Sequence, residues 1–242
     1  MASALARGFG GPALVSDIDH GRAQALAAAI GGEAPGSNAY VADQADAVVL
    51  AHKPGQLATV AEDIRERAKA VVSILGGVKI VDIEAAYPGL PVYRFMPNIP
   101  AEVGHGVFCY APGTRAHEGP EDDVLDLFGR AGLVVKLPEP QIEPATALMG
   151  CGPALFALVA EALVDAGVRH GLTPDDAGRL VVETMAGAAA VLREHGDDTK
   201  GLRRRVTSPA GSTARALAAL EAGGVRRAFD DAVDAVVEIG RR

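Results

Sequence analysis

The chain has 242 residues, 49% of them hydrophobic, which suits one large domain or two small ones around a sizeable core. A net charge of −8, with no basic cluster longer than Arg203 to Arg205, excludes nucleic-acid binding by a charged surface. Aromatics at 4% without tryptophan exclude a stacking platform for bases or sugars. Cys109 and Cys151 stand far apart and outside any CxxC or Cys/His cluster, so neither a disulfide framework nor a metal site is expected. There is no cationic start leading into an apolar leader, and the apolar runs are read as broken by Gly, Asp or Arg before a membrane-spanning length. A cytoplasmic protein that does not enter the membrane is expected.

The opening Met1–Phe9 reads as a helix already under way. Ala13–Ser16 reads as a strand, with Asp17 immediately after it, and His20–Ile30 as a helix. Ala47–Ala51 follows as a strand, Gln56–Ala70 as a helix, and Val71–Leu75 and Val92–Phe95 as strands. Gly106–Tyr110 and Leu133–Leu137 flank a helix near Glu121–Ala131. This alternation predicts a doubly wound parallel sheet. A dinucleotide-binding sheet should open with a strand and a glycine-rich turn, and the chain shows neither. Ala13–Ser16 would then be the second strand, and Asp17 the carboxylate that receives a ribose hydroxyl. The alternative is a sheet that begins at Ala13, with Asp17 and Asp19 as solvated turn residues.

After Pro138, Pro140 and Pro144 the strand-like runs stop, which places a domain boundary near residue 140. Thr146–His170 reads as one long Ala/Leu/Val helix, and Thr173-Pro174-Asp175-Asp176 starts a second that runs to about Glu194. Two shorter helices flank Val206–Thr213. A helix apolar on most faces is buried on most faces, and a domain of about a hundred residues covers it poorly, so a second chain is expected to do so. The alternative is a central helix wrapped by its own neighbours. Val206–Thr213, V-T-S-P-A-G-S-T, leads a proline, small residues and hydroxyls into a helix. One reading is a cradle for a carboxylate or phosphate; the other is an ordinary cap supplied by Ser212 or Thr213.

Four motifs, H-K-P at 52–54, M-P-N-I-P at 96–100, G-C-G-P-A at 150–154 and V-T-S-P-A-G-S-T at 206–213, in this order and spacing, resemble the pyrroline-5-carboxylate reductase family from Met1 to about Gly240. The resemblance implies a Rossmann-type α/β domain over 1–140 lacking its first strand and Gly-rich turn, and an all-α dimerisation and substrate-binding domain over 141–242. It also implies a homodimer that assembles into a decamer of five dimers. The implied reaction is hydride transfer from NADPH or NADH to 1-pyrroline-5-carboxylate, the last step of proline biosynthesis. The alternatives are a non-catalytic relative with a decayed cofactor site, or a reductase of another small cyclic imine.

Carried over by position, the resemblance assigns cofactor binding to Asp17, Asn38, Ala51, His52, Lys53, Pro54, Gly76, Gly77, Met96, Pro97 and Asn98. It assigns the pyrroline carboxylate to Ser208, Gly211, Ser212 and Thr213, with the Thr213 hydroxyl beside the ring nitrogen as the catalytic group. An imine that arrives protonated needs no strong acid; His52 and His105 are the weaker alternatives as proton donors. Asp17 would accept a 2′-hydroxyl, while Arg22 could offset its charge and admit a 2′-phosphate. The departures are His52 for valine, Cys151 for serine, and Ala210 for glycine, the last mattering if that position takes a positive φ. At the start, Met1–Ala4 matches the end of the family's G-x-G-N-M-A, so about a dozen residues of strand and turn are expected upstream.

Overall fold

A computed structural model describes residues 1–196 and 198–240 and divides the chain into two compact units, Met1–Pro153 and Ala154–Ile239. The first is built on one five-stranded sheet in the order β1 (Val48–Leu50), β2 (Val71–Ser73), β3 (Val92–Met96), β4 (Gly106–Pro112) and β5 (Gly132–Lys136). β1, β2 and β3 are parallel, as are β4 and β5, but β3 and β4 are antiparallel. The wholly parallel sheet expected from the alternation is thus corrected at one pair. Residues 97–105 between β3 and β4 hold only a short 3-10 turn, Ile99–Val103, too little chain for a crossover back to the parallel direction.

Ala13–Ser16 is not a strand. It makes a single bridge, Leu14 to Glu33, closed by Val15 N–H to Glu33 at 2.8 Å and Glu33 N–H to Ala13 at 3.1 Å. Gly32 permits that approach, since a Cβ there would lie 2.1 Å from the Ala13 carbonyl oxygen. Among the described residues, no strand pairs with the other side of this segment or with the outer edge of β1.

Helices cover both faces of the sheet. Side chains alternate along β3, so Tyr93 and Phe95 point to one face, into a core with Val72, Phe108, Tyr110 and Phe128. There Phe95 stacks on Phe128 with ring centroids 3.9 Å apart. This face is covered by α1 (Ala2–Phe9), which contributes Leu5 and Phe9, and by α6 (Glu121–Arg130). The amphipathic pattern of α6 buries Val124 and Phe128 and leaves its acidic first turn, Glu121 to Asp123, at the favourable end of the helix dipole.

On the opposite face Val71 and Val92 pack with Ile64 of α4 (Leu57–Ile64) and with Ile83 of α5 (Ile80–Ala86). Met96, Cys109 and Ala111 pack beside them with Ile142 of α7 (Ile142–Met149). The remaining helices of this unit are α2 (His20–Ile30), capped by the Asp19 carboxylate and closed by left-handed Gly31, and α3 (Asn38–Gln44), capped by Ser37.

The expected helix over 146–170 is two helices, α7 and then α8 (Gly152–Arg169), because Gly150-Cys151-Gly152-Pro153 interrupts the pattern. The second unit contains most of α8 with α9 (Pro174–Glu194), α10 (Thr199–Arg205), α11 (Ser212–Ala222) and α12 (Val225–Gly240). Thr173 caps α9 through Asp176 N–H, with Pro174 at its first position. Among the described residues of this unit only Ala177 is buried, whereas Phe156, Leu158 and Leu163 of α8 are 63%, 62% and 52% exposed. A central helix wrapped by its own neighbours is therefore excluded within the chain.

Candidate active site

Because β1, β2 and β3 run in the same direction, the segments that leave their C-terminal ends emerge at one edge of the sheet. These are Ala51-His52-Lys53-Pro54, Gly76-Gly77 and Pro97-Asn98. That edge is where open α/β sheets receive ligands. Ala51, Lys53 and Pro54 are exposed, and a 3-10 turn, Pro54–Gln56, follows them, fixed by Lys53 N–H donating to the Gln56 Oε1 at 3.2 Å. His52 Nδ1 lies 2.9 Å from the Lys53 carbonyl, so the proton is on Nδ1, and Nε2 is left buried without a partner. Gly77 turns with φ 75, and nothing stands within 4 Å of where a Cβ at Gly76 or Gly77 would be, so the turn presents open backbone.

The M-P-N segment is wholly buried. Met96 packs with Ile80, Cys109, Ala111 and Ile142. The Asn98 amide is engaged on both sides: Nδ2 donates to the Met149 carbonyl at 2.9 Å, and Oδ1 accepts from Val107 N–H at 2.8 Å. His105 is exposed.

Asp17 follows the Leu14–Glu33 bridge. One of its oxygens accepts the Asp19 N–H at 2.8 Å, and the other is free among the described residues. Arg22 is engaged by Asp19, with Nε 3.1 Å from a carboxylate oxygen. Asn38 opens α3 and donates to Asp63 on α4 at 3.2 Å.

In the second unit, α10 ends at Arg205 and α11 begins at Ser212. The N-cap of α11 is Gly211, with no side-chain cap hydrogen bond, so Ser212 and Thr213 lie inside the first turn. The reading of Ser212 or Thr213 as an ordinary cap is thereby corrected: a side chain at the first or second helical position cannot reach the amides that a capping residue serves. Among the described residues, no side chain caps the first-turn amides. A turn closed by Gly211 N–H to the Ser208 carbonyl at 3.1 Å precedes them. A Cβ at Gly211 would lie 2.4 Å from Ser208 Oγ, so glycine is what lets that hydroxyl approach the helix start. Ala210 is the sole non-glycine residue with positive φ among the described residues, at 58°.

One cluster escaped the sequence reading. Arg94 of β3 is 2% exposed, with Nη1 3.1 Å from Glu139 and Nη2 2.8 Å from Glu143. The available signal was a charged residue inside the apolar strand V-Y-R-F-M, followed by two carboxylates four residues apart at a helix start.

A family model described as pyrroline-5-carboxylate reductase dimerisation matches residues 139–242, and one described as NADP oxidoreductase, coenzyme F420-dependent, matches 1–77. The pyrroline-5-carboxylate reductase of Mycobacterium leprae is 40% identical over 214 residues, covering 78% of this chain and 73% of that protein. The chain belongs to the pyrroline-5-carboxylate reductase family. A relative from Methanosarcina acetivorans is 36% identical over 90% of this chain and 82% of its own length. Among solved structures, a pyrroline-5-carboxylate reductase from Coxiella burnetii superposes with a TM-score of 0.89 at 30% identity, covering 99% of this chain and 93% of that one. The Plasmodium falciparum pyrroline carboxylate reductase with NADP bound gives 0.86 at 28%, covering 98% and 92%.

Membership in this family joins a Rossmann-like region to an all-α dimerisation region, and the exposed apolar side chains of α8 fall inside the latter. The protein is a homodimer. One expectation is corrected here. Within Glu139–Arg169, which spans α7 and α8, an 18-residue stretch has a mean hydropathy of 1.9 and is long and apolar enough to cross a membrane, because no charge interrupts 144–160. No multi-span arrangement exists among the described residues.

Proposed function

We propose that this chain is an NAD(P)H-dependent oxidoreductase that reduces 1-pyrroline-5-carboxylate to L-proline. Within its family, the observation that supports the reading is the start of α11, where Gly211 is the N-cap, no side chain caps the first-turn amides and the Ser208 hydroxyl approaches, a helix start with Ser212 and Thr213 in its first turn that suits a carboxylate. We assign residues 1–140 to the dinucleotide-binding domain and 141–242 to the dimerisation and substrate-binding domain. The dimer assembles into a decamer of five, and the site of action is cytoplasmic.

Reduced nicotinamide supplies a hydride to the C=N carbon. The open backbone at Gly76-Gly77, the exposed Lys53 and the unpartnered His52 Nε2 fit a polar nucleotide at the shared strand-end edge. Ala51–Pro54, Gly76-Gly77 and Met96–Asn98 would hold the nicotinamide end, and Asn38 and Asp17 the adenosine end. The free Asp17 oxygen and the engagement of Arg22 by Asp19 support use of NADH beside NADPH. Ser208, Gly211 and Ser212 fix the substrate carboxylate. The Thr213 hydroxyl accepts from the protonated ring nitrogen, which is already cationic when it arrives, so the chain moves no proton before the hydride adds.

The test is oxidation of NADPH and of NADH by the purified chain with pyrroline-5-carboxylate, beside Thr213→Val. A lost hydrogen bond to a charged partner should lower kcat/KM by about 10- to 100-fold. Nicotinamide binding without turnover would point instead to the non-catalytic relative, and turnover of pyrroline-2-carboxylate alone to another imine reductase.

A further inference from the structure

Helix α7 is held at both ends by one stretch of chain, β3 and the two residues that follow it. At its start, Arg94 reaches from the centre of β3 to Glu139, in the 3-10 turn Glu139–Gln141 just before the helix, and to Glu143 in its first turn. Glu139 Oε1 also accepts the Ile80 N–H at 2.6 Å, so the first residue of α5 joins the same cluster. At the far end, the Met149 carbonyl, the last of the helix, receives the Asn98 amide. The spans match: four residues of extended chain from Arg94 to Asn98 cover about 13 Å, and the eight residues of α7 rise about 12 Å.

Stability alone does not account for the cluster. Taking an arginine and parts of two carboxylates out of water costs as much as their attraction returns, and a well-packed aliphatic side chain at such a position does as well or better. Arg94 Nε remains buried without a partner, a further cost. What the ionic and amide contacts supply, and an aliphatic residue cannot, is direction. The guanidinium fork accepts one placement of two carboxylates, and the amide one placement of a carbonyl and an N–H.

Between the two anchors lies Met96-Pro97, the segment that leaves β3 toward the nicotinamide end of the proposed site. We infer that Arg94 and Asn98 are positioning residues, locking α7 against β3 so that residues 96–98 hold one conformation at the hydride-transfer site. The inference rests on the function proposed above and reassigns Asn98: with its Oδ1 and Nδ2 spent on Val107 and Met149, it sets the segment's position and does not grip the cofactor through its amide.

Asn98→Asp keeps the acceptor for Val107 N–H and turns an anion toward the Met149 carbonyl, so it opens one anchor. Glu143→Gln weakens the other anchor at a carboxylate that is 33% exposed and leaves the fold intact. For each variant the measurements are amide hydrogen exchange at 96–99 and 146–150, kcat and KM for the imine, and the primary isotope effect with 4-deuterated reduced nicotinamide. Asn98→Asp should lower kcat about tenfold or more with KM within about twofold, and raise the isotope effect, because misplacement by an ångström slows the chemical step itself. Glu143→Gln should show the same pattern at about threefold, with faster exchange at 96–99 although the change is at the other end of the helix.

Normal exchange at 96–99 in Glu143→Gln overturns the inference, as does normal kcat with a lowered melting temperature, which is what a merely structural contact gives. If the unmodified chain does not turn over the imine, the proposed function fails. The exchange result then still decides whether the two anchors act as one device.

Discussion

The two units spend similar residues in opposite ways. In Met1–Pro153 the apolar side chains close on themselves on both faces of a sheet, down to a Phe95–Phe128 stack with centroids 3.9 Å apart. In Ala154–Ile239 the helices are just as apolar, yet Ala177 alone is buried among the described residues, and Phe156, Leu158 and Leu180 lie more than half exposed. Average hydrophobicity does not separate the two cases. The first unit carries its apolar residues in strands and in amphipathic helices such as α6, whose stripe has a sheet to meet. The second carries them around most of α8, and the four other helices of the unit leave that helix largely exposed. One unit buries its apolar side chains within itself; the other leaves them on a face that a partner must cover.

The largest expected effect breaks this contrast on the incomplete side. Phe156→Asp places a carboxylate on the exposed apolar side of α8 and leaves the sheet unit untouched. Burying that charge costs several kcal/mol, so the dimer should weaken by about 100-fold or more. Light scattering coupled to gel filtration should find monomer, and helical circular dichroism should fall while the sheet unit still melts cooperatively. In the unmodified chain, the transition of the helical unit should move up with protein concentration and that of the sheet unit should not. A Phe156→Asp protein that stays dimeric would remove the basis for placing a partner on that face.

The contrast was partly legible in the residues. The short β-rich runs Val92–Phe95 and Gly106–Tyr110 gave strands, and caps such as Thr173-Pro174 gave helix starts, because these signals act within a few residues. The antiparallel β3–β4 pair was less legible, since the apolar pattern is the same for either direction and only the length of 97–105 distinguishes them. Ala13–Ser16 has a strand's composition but becomes a single bridge, because a strand exists only where a neighbour offers a ladder. At the site, the residue types of the loop at 206–213 were legible, but the N-cap was not: it is glycine, and only coordinates show that the hydroxyls sit one and two places further in. The Arg94 anchor joins residues far apart in sequence and has no local signature beyond a misplaced charge.

A second prediction separates the units by alkali. All four tyrosines, Tyr40, Tyr87, Tyr93 and Tyr110, fall in the sheet unit. Burial, with Asp63 near Tyr87 and Glu121 near Tyr93, pushes these two phenols from 10.0 up to about 12. Burial and a hydrogen bond to Glu121 push Tyr110 further in the same direction. Below pH 10 the phenols are neutral in both folded and unfolded chains, and their stabilising contribution is fully present. Between about pH 10 and 12 the unfolded chain ionises first and is favoured, so stability is lost as pH rises, by roughly 2 kcal/mol for each of Tyr87 and Tyr93. Denaturant titrations at pH 9 and pH 11.5 should show the sheet unit losing ground while the helical unit, with no tyrosine, changes little. Equal loss in both would mean that alkali acts through some other group.

The smallest effect is the sharpest, because it moves one methyl group by one residue. Ala210 holds φ 58 in the loop before α11, a conformation that costs an L-residue about 1–2 kcal/mol and glycine nothing. Ala210→Gly removes that strain but gives the unfolded chain back about 0.5–1 kcal/mol of freedom, so the net gain should be under about 1 kcal/mol. Gly211→Ala makes the opposite trade. Its φ of −71 suits alanine, so the backbone gains rigidity, but the new Cβ would stand 2.4 Å from Ser208 Oγ and must drive that hydroxyl from the helix start. Ala210→Gly should therefore raise the melting temperature of the helical unit slightly and leave KM for the imine unchanged. Gly211→Ala should raise KM by about tenfold, the worth of one hydrogen bond to a carboxylate, whatever it does to stability. If both variants moved stability alone, the hydroxyl at Ser208 would have no part in holding the substrate, and the carboxylate would rest on the first-turn amides of α11.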